Sequence, residues 1–517
     1  MTRTPGLTFF AILLAALSLS IGWGVRGNWG HEFGAMIPGA LAAMAVCLTS
    51  GRPDWRERVA YFAFFGALGW SFGGSMSYMQ VVGYTHSGHF LSMAYGFACL
   101  FVIGFLWGAI GGAGTALPAV LDRQRLTELF PPIVVLFLLW WLQGIVPAVL
   151  LGGGIVAPSD LAWMKWNDTD WIAALLAVAA AGLMWVVAPQ LRRACSLVLH
   201  MSVGWWVAFL GLVIVLGLRM TPPRGDNWAG MLGMTAGMLV YFWRQGLYSV
   251  VFVSLATGFF AGLGFSGCNA AKLAGIATGI ETNWHSLLEQ SFGFVSGIGV
   301  ALSMGLLSTR TPRLPDEPTV RGWTGPFAVG FTLVVITFLN IRKNVQAVWL
   351  LNKSVPESMY GIPIQWWFDA AYLAMAVVVL ILILQHEHQP LAARSASWLG
   401  RGQLLYLVFL WWIVLGNLSR VLPFHPQRLV TEGVIHVNAC ICTMLALLLP
   451  REEDSVELQP ASDHRKLCAQ AALVGFAGAV AAFALEIAVT RGIYGDSPAG
   501  YAGKNIRFGP NATTQSR

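Results

Sequence analysis

Residues 69–75 read GWSFGGS, and residues 262–268, about 193 positions further along the chain, read GLGFSGC. A second pair of segments, 95–97 (YGF) and 292–294 (FGF), recurs at nearly the same spacing. Self-similarity at a fixed spacing is the sequence signature of an internal repeat. Both glycine-rich segments lie in apolar stretches, so we predict a duplicated membrane unit whose helices are broken at these glycines.

The composition around these segments is that of a membrane protein. Of 517 residues, 56% are apolar and 11% are charged, whereas soluble domains average about 25% charged residues. Apolar runs of about 20 residues, long enough to cross the hydrocarbon core, recur without the alternation of barrel strands. We therefore predict an all-α polytopic integral membrane protein with about 14 to 15 transmembrane helices. The predicted spans are residues 7–25, 33–48, 59–72, 89–109, 130–151, 171–188, 196–218, 228–242, 250–265, 287–307, 326–339, 366–384, 404–416, 434–449 and 467–489.

The spacing of the repeat predicts how the chain is organised. A first six-helix unit covers residues 1–190, a second covers 191–390, and a partial third unit covers 400–492. A polar tail at 493–517 follows and is expected to be mobile. Because six spans is an even number, both full units enter the membrane from the same side, so the repeats are expected to be parallel.

The net charge of +7 lies mostly in the loops and does not indicate nucleic-acid binding. Cytoplasmic loops of membrane proteins are enriched in Lys and Arg. The loops on the N-terminal side of the predicted topology are the more basic ones, with Arg52, Arg56 and Arg58 among them. The sequence therefore predicts a cytoplasmic N-terminus and a plasma (inner) membrane location, with the lipid bilayer as a partner.

A polar segment between the first two spans contains Arg26, Asn28, His31 and Glu32, separated by glycines. Inserting an ionisable group into the membrane costs about 2.5–3.5 kcal/mol on insertion scales, so each such residue is a candidate for a functional role. Arginine suits a carboxylate or phosphate ligand, while His31 and Glu32 can titrate together or hold the arginine in place. The alternative is an arginine that snorkels to the headgroups without binding a solute.

An arginine that closes one span and an acid before the next recur twice more, as Arg219 with Asp226 and as Arg420 with Glu432. These pairs are candidates for binding or gating an anion. They are equally explained as structural clamps that fix each helical hairpin.

The glycine-rich segments are followed by a second group of candidates: Ser75, Met76, Ser77, Tyr78 and Gln80 in the first unit, and Cys268, Asn269 and Lys272 in the second. A broken helix frees backbone groups, and a half-helix that starts there favours an anion at its positive end. Close helix packing through small residues is the alternative interpretation.

Two isolated carboxylates, Glu289 and Asp369, lie within predicted spans and are candidate proton or cation sites. The chain has no G-x-x-x-x-G-K-[ST] loop, G-x-S-x-G elbow or H-E-x-x-H motif. We therefore predict no cofactor, no metal site and no catalytic residues.

Three hypotheses about function follow. The first is a permease, a secondary transporter or channel-like protein, for a small and anionic solute. The second is a membrane-embedded transferase or hydrolase for a lipid-linked or amphipathic substrate, with His31 as base and Arg26 on phosphate or carboxylate. The third is a scaffold subunit for a membrane partner, and a homo-oligomer is compatible with each hypothesis.

Overall fold

The computed structural model describes residues 5–27, 32–72, 76, 78–164, 166, 169–218, 220, 227–315, 321–338, 356–388, 400–421, 429–449 and 463–495. Most of them are helical, because backbone groups in an apolar environment must be hydrogen-bonded within their own segment. The α-helices are α1 (Phe9–Arg26), α2 (Glu32–Thr49), α3 (Pro53–Arg56), α4 (Val59–Ser71), α5 (Met79–Tyr84), α6 (Phe90–Val120), α7 (Arg123–Glu128), α8 (Phe130–Gly152), α9 (Trp171–Val187), α10 (Arg192–Ala208), α11 (Asn227–Arg244), α12 (Tyr248–Ala277), α13 (Trp284–Arg310), α14 (Thr324–Gly330), α15 (Ile364–His388), α16 (Arg401–Val421), α17 (Leu429–Leu447) and α18 (His464–Tyr494).

Two helices continue in the wider π-helical geometry, α10 through Phe209–Val215 and α14 through Phe331–Phe338. A small hairpin precedes α15, in which β1 (Ser358–Met359) pairs antiparallel with β2 (Ile362–Pro363). The architecture is otherwise entirely helical over the described ranges.

Nine helical segments of the described chain are long and apolar enough to cross a membrane: 9–26, 90–120, 123–152, 189–215, 248–277, 284–310, 364–386, 430–447 and 464–494. Four shorter apolar helices cover 33–49, 59–71, 171–187 and 324–337. The prediction of an all-α, multi-pass integral membrane protein is therefore confirmed. The predicted spans at 228–242 and 404–416 form α11 and α16, which belong to neither group.

The buried centre of the bundle is formed by α1, α2, α4, α6, α12 and α13. In contrast, α8, α9, α15 and α18 expose large apolar side chains such as Trp141, Leu183 and Leu373. Within the centre, α6 packs along α12, and α1 packs along α13. Small residues permit this approach, because a Cβ at Gly104 would lie 2.4 Å from the carbonyl oxygen of Ala261.

The two glycine-rich segments differ in the structure. Helix α4 ends at Ser71 and residues 73–75 lie outside the described residues, so a helix broken there stays a prediction. In contrast, α12 runs without interruption through residues 262–268, so the break predicted there is wrong. The glycines of α12 serve packing instead, since Gly262 lies against Phe101 and Gly264 against Val295. The duplication and the unit boundaries stay predictions, and the tail from residue 496 lies outside the described residues.

Buried arginines fasten one end of the bundle. Arg52, between α2 and α3, donates from Nε and Nη2 to the two carboxylate oxygens of Asp54, at 2.8 and 2.6 Å. Its Nη1 and Nη2 also donate, at 2.9 Å, to carbonyl oxygens at the C-terminal end of α13, those of Ser308, Thr311 and Pro312. We call Arg52, Asp54 and these carbonyls the Arg52 clamp. A helix ends in free carbonyls, which a guanidinium group is well suited to cap.

Arg58 caps α6 at the same end, donating from Nη1 to the carbonyl oxygens of Pro118 and Leu121 at 3.3 and 2.6 Å. Gly6, just before α1, also lies here, because a Cβ at this position would be 3.1 Å from Gly305 Cα in α13. We call this the basic end of the bundle. Arg26, the last residue of α1, therefore lies towards the opposite end.

Candidate functional site

Four polar side chains meet where α1 ends and α13 begins, and we call them the Arg26 cluster. Arg26 Nη1 donates to Glu289 Oε1 at 3.1 Å, and the Tyr78 hydroxyl donates to the same oxygen at 2.8 Å. One helical turn before Glu289, His285 places Nε2 3.9 Å from that oxygen and 3.3 Å from the Tyr78 hydroxyl. Arg26 and Glu289 are only 3% and 6% exposed, so this ion pair is buried.

Aromatic rings enclose the guanidinium group of Arg26. Its Cζ lies 4.9 Å from the ring centre of Trp23, 5.6 Å from that of Trp107 and 6.0 Å from that of Tyr78. Trp23 is one helical turn before Arg26 and also packs edge-on against Phe292, with centroids 4.8 Å apart. A cation–π contact contributes about 0.5–1 kcal/mol at an exposed site and about 2 kcal/mol when the cation is desolvated, as it is here. The rings hold the charge without using its hydrogen-bond donors.

Several polar atoms of this region are buried without a hydrogen-bond partner among the residues that the structure describes. They include Arg26 Nε, Trp23 Nε1 and His285 Nδ1. An unpaired buried donor costs about 1–3 kcal/mol, which makes it unusual in a site that serves only stability. A guanidinium and an indole N–H with unused donors suit a ligand rich in acceptors, such as a carboxylate or a phosphate.

A second cation, Lys272 on α12, is half-buried nearby. His285 lies within electrostatic reach of Lys272 as well as of the other charged members of the Arg26 cluster. Burial lowers the pKa of His86, in the turn after α5, and the charge of Lys272 lowers it further. Asn269, almost one turn before Lys272, donates to Thr85 Oγ1 at 2.9 Å and ties α12 to that turn. Lys272 therefore adds a second positive charge between the Arg26 cluster and the partly exposed face of α12.

The structure thus brings five of the candidate residues to one end of the bundle: Arg26, Tyr78, Glu289, Asn269 and Lys272. The partner of Arg26 is Glu289, 263 positions away. Glu432 lies beside this region on α17, where it is 4% exposed and accepts a hydrogen bond from Asn417. The residue before it, Thr431, accepts a hydrogen bond from Gln290, the neighbour of Glu289.

Asp369 does not join the site. It lies exposed on α15, a peripheral helix, away from the Arg26 cluster. Its role as a proton or cation site stays a prediction. Five predicted residues, Asn28, His31, Ser75, Arg219 and Asp226, lie outside the described residues. For Glu32, Gln80 and Arg420 the structure describes the helix but not the side chain.

One member of the Arg26 cluster, His285, was not among the predicted site residues. His285 and Glu289 are four positions apart, which places them on one face of a helix. This spacing of two titratable residues within an apolar run could have identified His285 from the sequence. Tyr78 was a candidate because it follows a glycine-rich segment, but only the fold brings it to α13.

No protein-family model matches the chain, and no curated protein or solved structure shows significant similarity to it. Within the described ranges, no three His, Cys, Asp or Glu side chains form a group able to hold a metal ion. The function must therefore be argued from the chemistry of the Arg26 cluster.

Proposed function

We propose that this protein is a permease that carries a small anionic solute across the plasma membrane together with a proton. The observation that carries the proposal is the buried Arg26–Glu289 pair, whose guanidinium Nε has no hydrogen-bond partner among the described residues. A buried charge is retained against a large desolvation cost when it serves transport or binding. Arg26 is the residue that would receive the anion.

The Glu289 carboxylate then acts as an internal competitor of the solute. While Glu289 is ionised, it occupies Arg26, and the pair is neutral. When Glu289 takes up a proton, its attraction for the guanidinium group falls, and the anionic group of the solute replaces it. The site stays neutral in both states, so a monoanion and a proton cross together without net movement of charge.

His285 and Tyr78 have supporting roles in this scheme. The side chain of His285 is 36% exposed, whereas that of Glu289 is 8% exposed, so the imidazole lies between the buried carboxylate and the surroundings. It is therefore the natural relay for the proton. Tyr78 holds Glu289 Oε1 in place through its 2.8 Å hydrogen bond and keeps the carboxylate positioned when Arg26 is engaged elsewhere.

The arrangement of charge also favours an orientation. Arg52 and Arg58 lie at the basic end, together with Gly6, which precedes α1. Because basic residues accumulate on the cytoplasmic side, we place the N-terminus and the Arg52 clamp inside the cell. The Arg26 cluster then lies towards the outer face, where a solute enters.

The test is uptake by the purified protein in liposomes. Lactate, succinate and inorganic phosphate serve as radiolabelled probes, with an alkaline or a neutral interior. We expect accumulation of at least one probe under the alkaline-inside gradient, and its loss when a protonophore collapses that gradient. Accumulation that does not depend on the pH gradient would reject proton coupling. No accumulation of any probe would reject anion transport.

Glu289→Gln separates the two parts of the proposal. The amide resembles the protonated carboxyl group, so we expect the probe to exchange across the membrane but no longer to accumulate with the gradient. Glu486→Gln is the matched control, because Glu486 is also buried at 5% exposure but accepts its hydrogen bond from Ser266 on α12, away from the Arg26 cluster. Equal loss of accumulation in both variants would contradict the assignment of Glu289.

A further inference from the structure

A groove of about 580 Å³ runs between α10 and α11 on the outside of the bundle. Its floor is formed by glycines where the two helices nearly touch, since a Cβ at Gly237 would lie 2.0 Å from the carbonyl oxygen of His200. Its walls are apolar and accessible, with Val203, Val207 and Val240 between 45% and 68% exposed. A volume of this size is in the range of small-molecule sites, about 300–1,000 Å³.

The groove opens towards the basic end at a cluster of arginines. Arg192 and Arg193 begin α10, and Arg244 ends α11, and all three are exposed. Arg192 stacks on Trp185, with Cζ 4.9 Å from the ring centre, and donates from Nε to the Trp185 carbonyl. Tryptophan and arginine side by side at a helix end are typical of the membrane interface. The guanidinium groups therefore lie at the level of the lipid headgroups.

The depth of the groove below these arginines matches one lipid leaflet. With a rise of about 1.5 Å per residue, the groove residues of α10, Leu199 to Val207, lie about 9–21 Å from Arg193. Those of α11, Val240 to Leu232, lie about 6–18 Å from Arg244. The hydrocarbon part of one leaflet is about 15 Å thick, under an interface of several ångströms. An acyl chain whose headgroup is held by these arginines would fill the groove along its length.

The charged residues at this end of the groove favour an anionic headgroup. Arg125 is also close to this end of the groove, but it is already paired with Asp122 at 3.3 Å. Glu128, the other acid nearby, accepts a hydrogen bond from Gln124. Arg193 and Arg244 form no ion pair within the described part of the chain, so positive charge remains for a ligand. Basic pockets between membrane helices on the cytoplasmic side bind anionic headgroups.

From these observations we propose that the α10–α11 groove is a binding site for an anionic phospholipid of the cytoplasmic leaflet. One acyl chain lies against the glycine floor, and the phosphate is held by Arg193 and Arg244. This site is on the outside of the bundle and does not depend on the proposed transport activity.

The test uses purified full-length protein, delipidated in detergent and titrated with phosphatidylglycerol or phosphatidylcholine of the same acyl chains. Native mass spectrometry counts the lipids that stay bound. We expect phosphatidylglycerol to bind at least fivefold more tightly than phosphatidylcholine, and soluble glycerol phosphate not to displace it. Equal affinities for the two lipids would overturn the proposal, and displacement by glycerol phosphate would show a phosphate site without an acyl-chain groove.

Two variants separate the headgroup contact from the groove. Arg193→Gln with Arg244→Gln should lower the affinity for phosphatidylglycerol to that for phosphatidylcholine. Ala236→Phe should fill the groove and lower the affinity for both lipids at least fivefold. Arg313→Gln is the matched control, because Arg313 is exposed but follows α13, away from the groove. An Arg313→Gln effect as large as that of the double variant would mean nonspecific charge attraction and would reject the site.

Discussion

Two buried arginines, each paired with a carboxylate, lie in the two halves of this bundle, and they are built differently. In the Arg52 clamp, Nε, Nη1 and Nη2 all donate hydrogen bonds, to Asp54 and to three carbonyl oxygens. In the Arg26 cluster, aromatic rings surround the guanidinium group, its described side-chain acceptor is Glu289, and Nε has no described partner. The first arginine is saturated with acceptors, whereas the second is not by any residue that the structure describes.

This difference separates two uses of the same residue type. A guanidinium group whose donors are all used cannot take a ligand without first losing protein contacts, so the Arg52 clamp serves stability. A guanidinium group held by ring faces keeps donors for a ligand, at a cost in stability. Burial and ion pairing alone do not distinguish the two, whereas the count of used donors does.

The largest expected effect is the loss of transport in Arg26→Gln. Removing one partner of a buried charge pair costs about 2–5 kcal/mol, and 4 kcal/mol corresponds to roughly a thousandfold. We expect probe uptake per folded protein to fall by about that factor in the liposome assay. Arg313→Gln removes an exposed arginine as the control and should keep normal uptake. Uptake within about threefold of normal in Arg26→Gln would contradict the role of Arg26.

The second prediction is the reverse outcome for Arg52→Gln. This change leaves Asp54 and the α13 carbonyls without their shared donor, so we expect a loss of about 3 kcal/mol in the free energy of unfolding. Thermal unfolding in detergent measures the effect. Uptake per folded protein should remain near normal, and a selective loss of uptake without a drop in stability would break the distinction between the two arginines.

Tyr78→Phe is expected to have a smaller and specific effect. The change removes the hydroxyl group that donates to Glu289 Oε1 but keeps the ring beside Arg26. A hydrogen bond to a charged acceptor contributes about 1.5–3 kcal/mol, part of which water can replace. Because the ionised carboxylate loses a donor, we expect the proton concentration that gives half-maximal uptake to fall about tenfold, seen as a pH profile shifted to higher pH with little change in maximal rate. Tyr61→Phe is the control, because the Tyr61 hydroxyl is hydrogen-bonded to Thr324, outside the Arg26 cluster. An identical shift of the pH profile in Tyr61→Phe would contradict the role of Tyr78.

The smallest expected effect is a pH dependence of the Arg52 clamp. Burial raises the pKa of Asp54, but the hydrogen bonds from Arg52 and from the Leu314 amide outweigh it and hold that pKa below the usual 3.8. The unfolded chain therefore binds this proton more readily, so the contribution of Asp54 is complete above pH 4 and is lost as the pH falls through the folded pKa. The difference in melting temperature between the wild type and Asp54→Asn should be constant from pH 8 to 5 and shrink below about pH 4. A difference that instead grows on acidification would contradict the pairing.

Part of the candidate site was accessible from the sequence. Arg26, Glu289 and Lys272 were recognisable because each is a charged group in or beside an apolar run, where insertion is costly. The same rule also selected Asp369, which lies exposed on α15 and does not join the cluster. A high cost of membrane insertion indicates that a charged residue has some role, but it does not distinguish a binding site from a structural contact or an exposed position.

The glycine motifs show a similar limit. Residues 69–75 and 262–268 look alike, yet α4 ends within the first and α12 continues through the second. Glycine permits both a break and a close helix contact, and the neighbouring helices decide between them.

The sequence by itself determined that this chain is a helical, multi-pass membrane protein, because hydropathy and span length are local properties of a segment. It also marked the arginines and carboxylates whose burial would be costly. Only the tertiary structure decided that Arg26 pairs with Glu289, 263 positions away, and that Tyr78 and His285 complete the cluster. Such pairings depend on which helices pack together, and that is set by the fit of many small and large side chains at once, which no single segment contains.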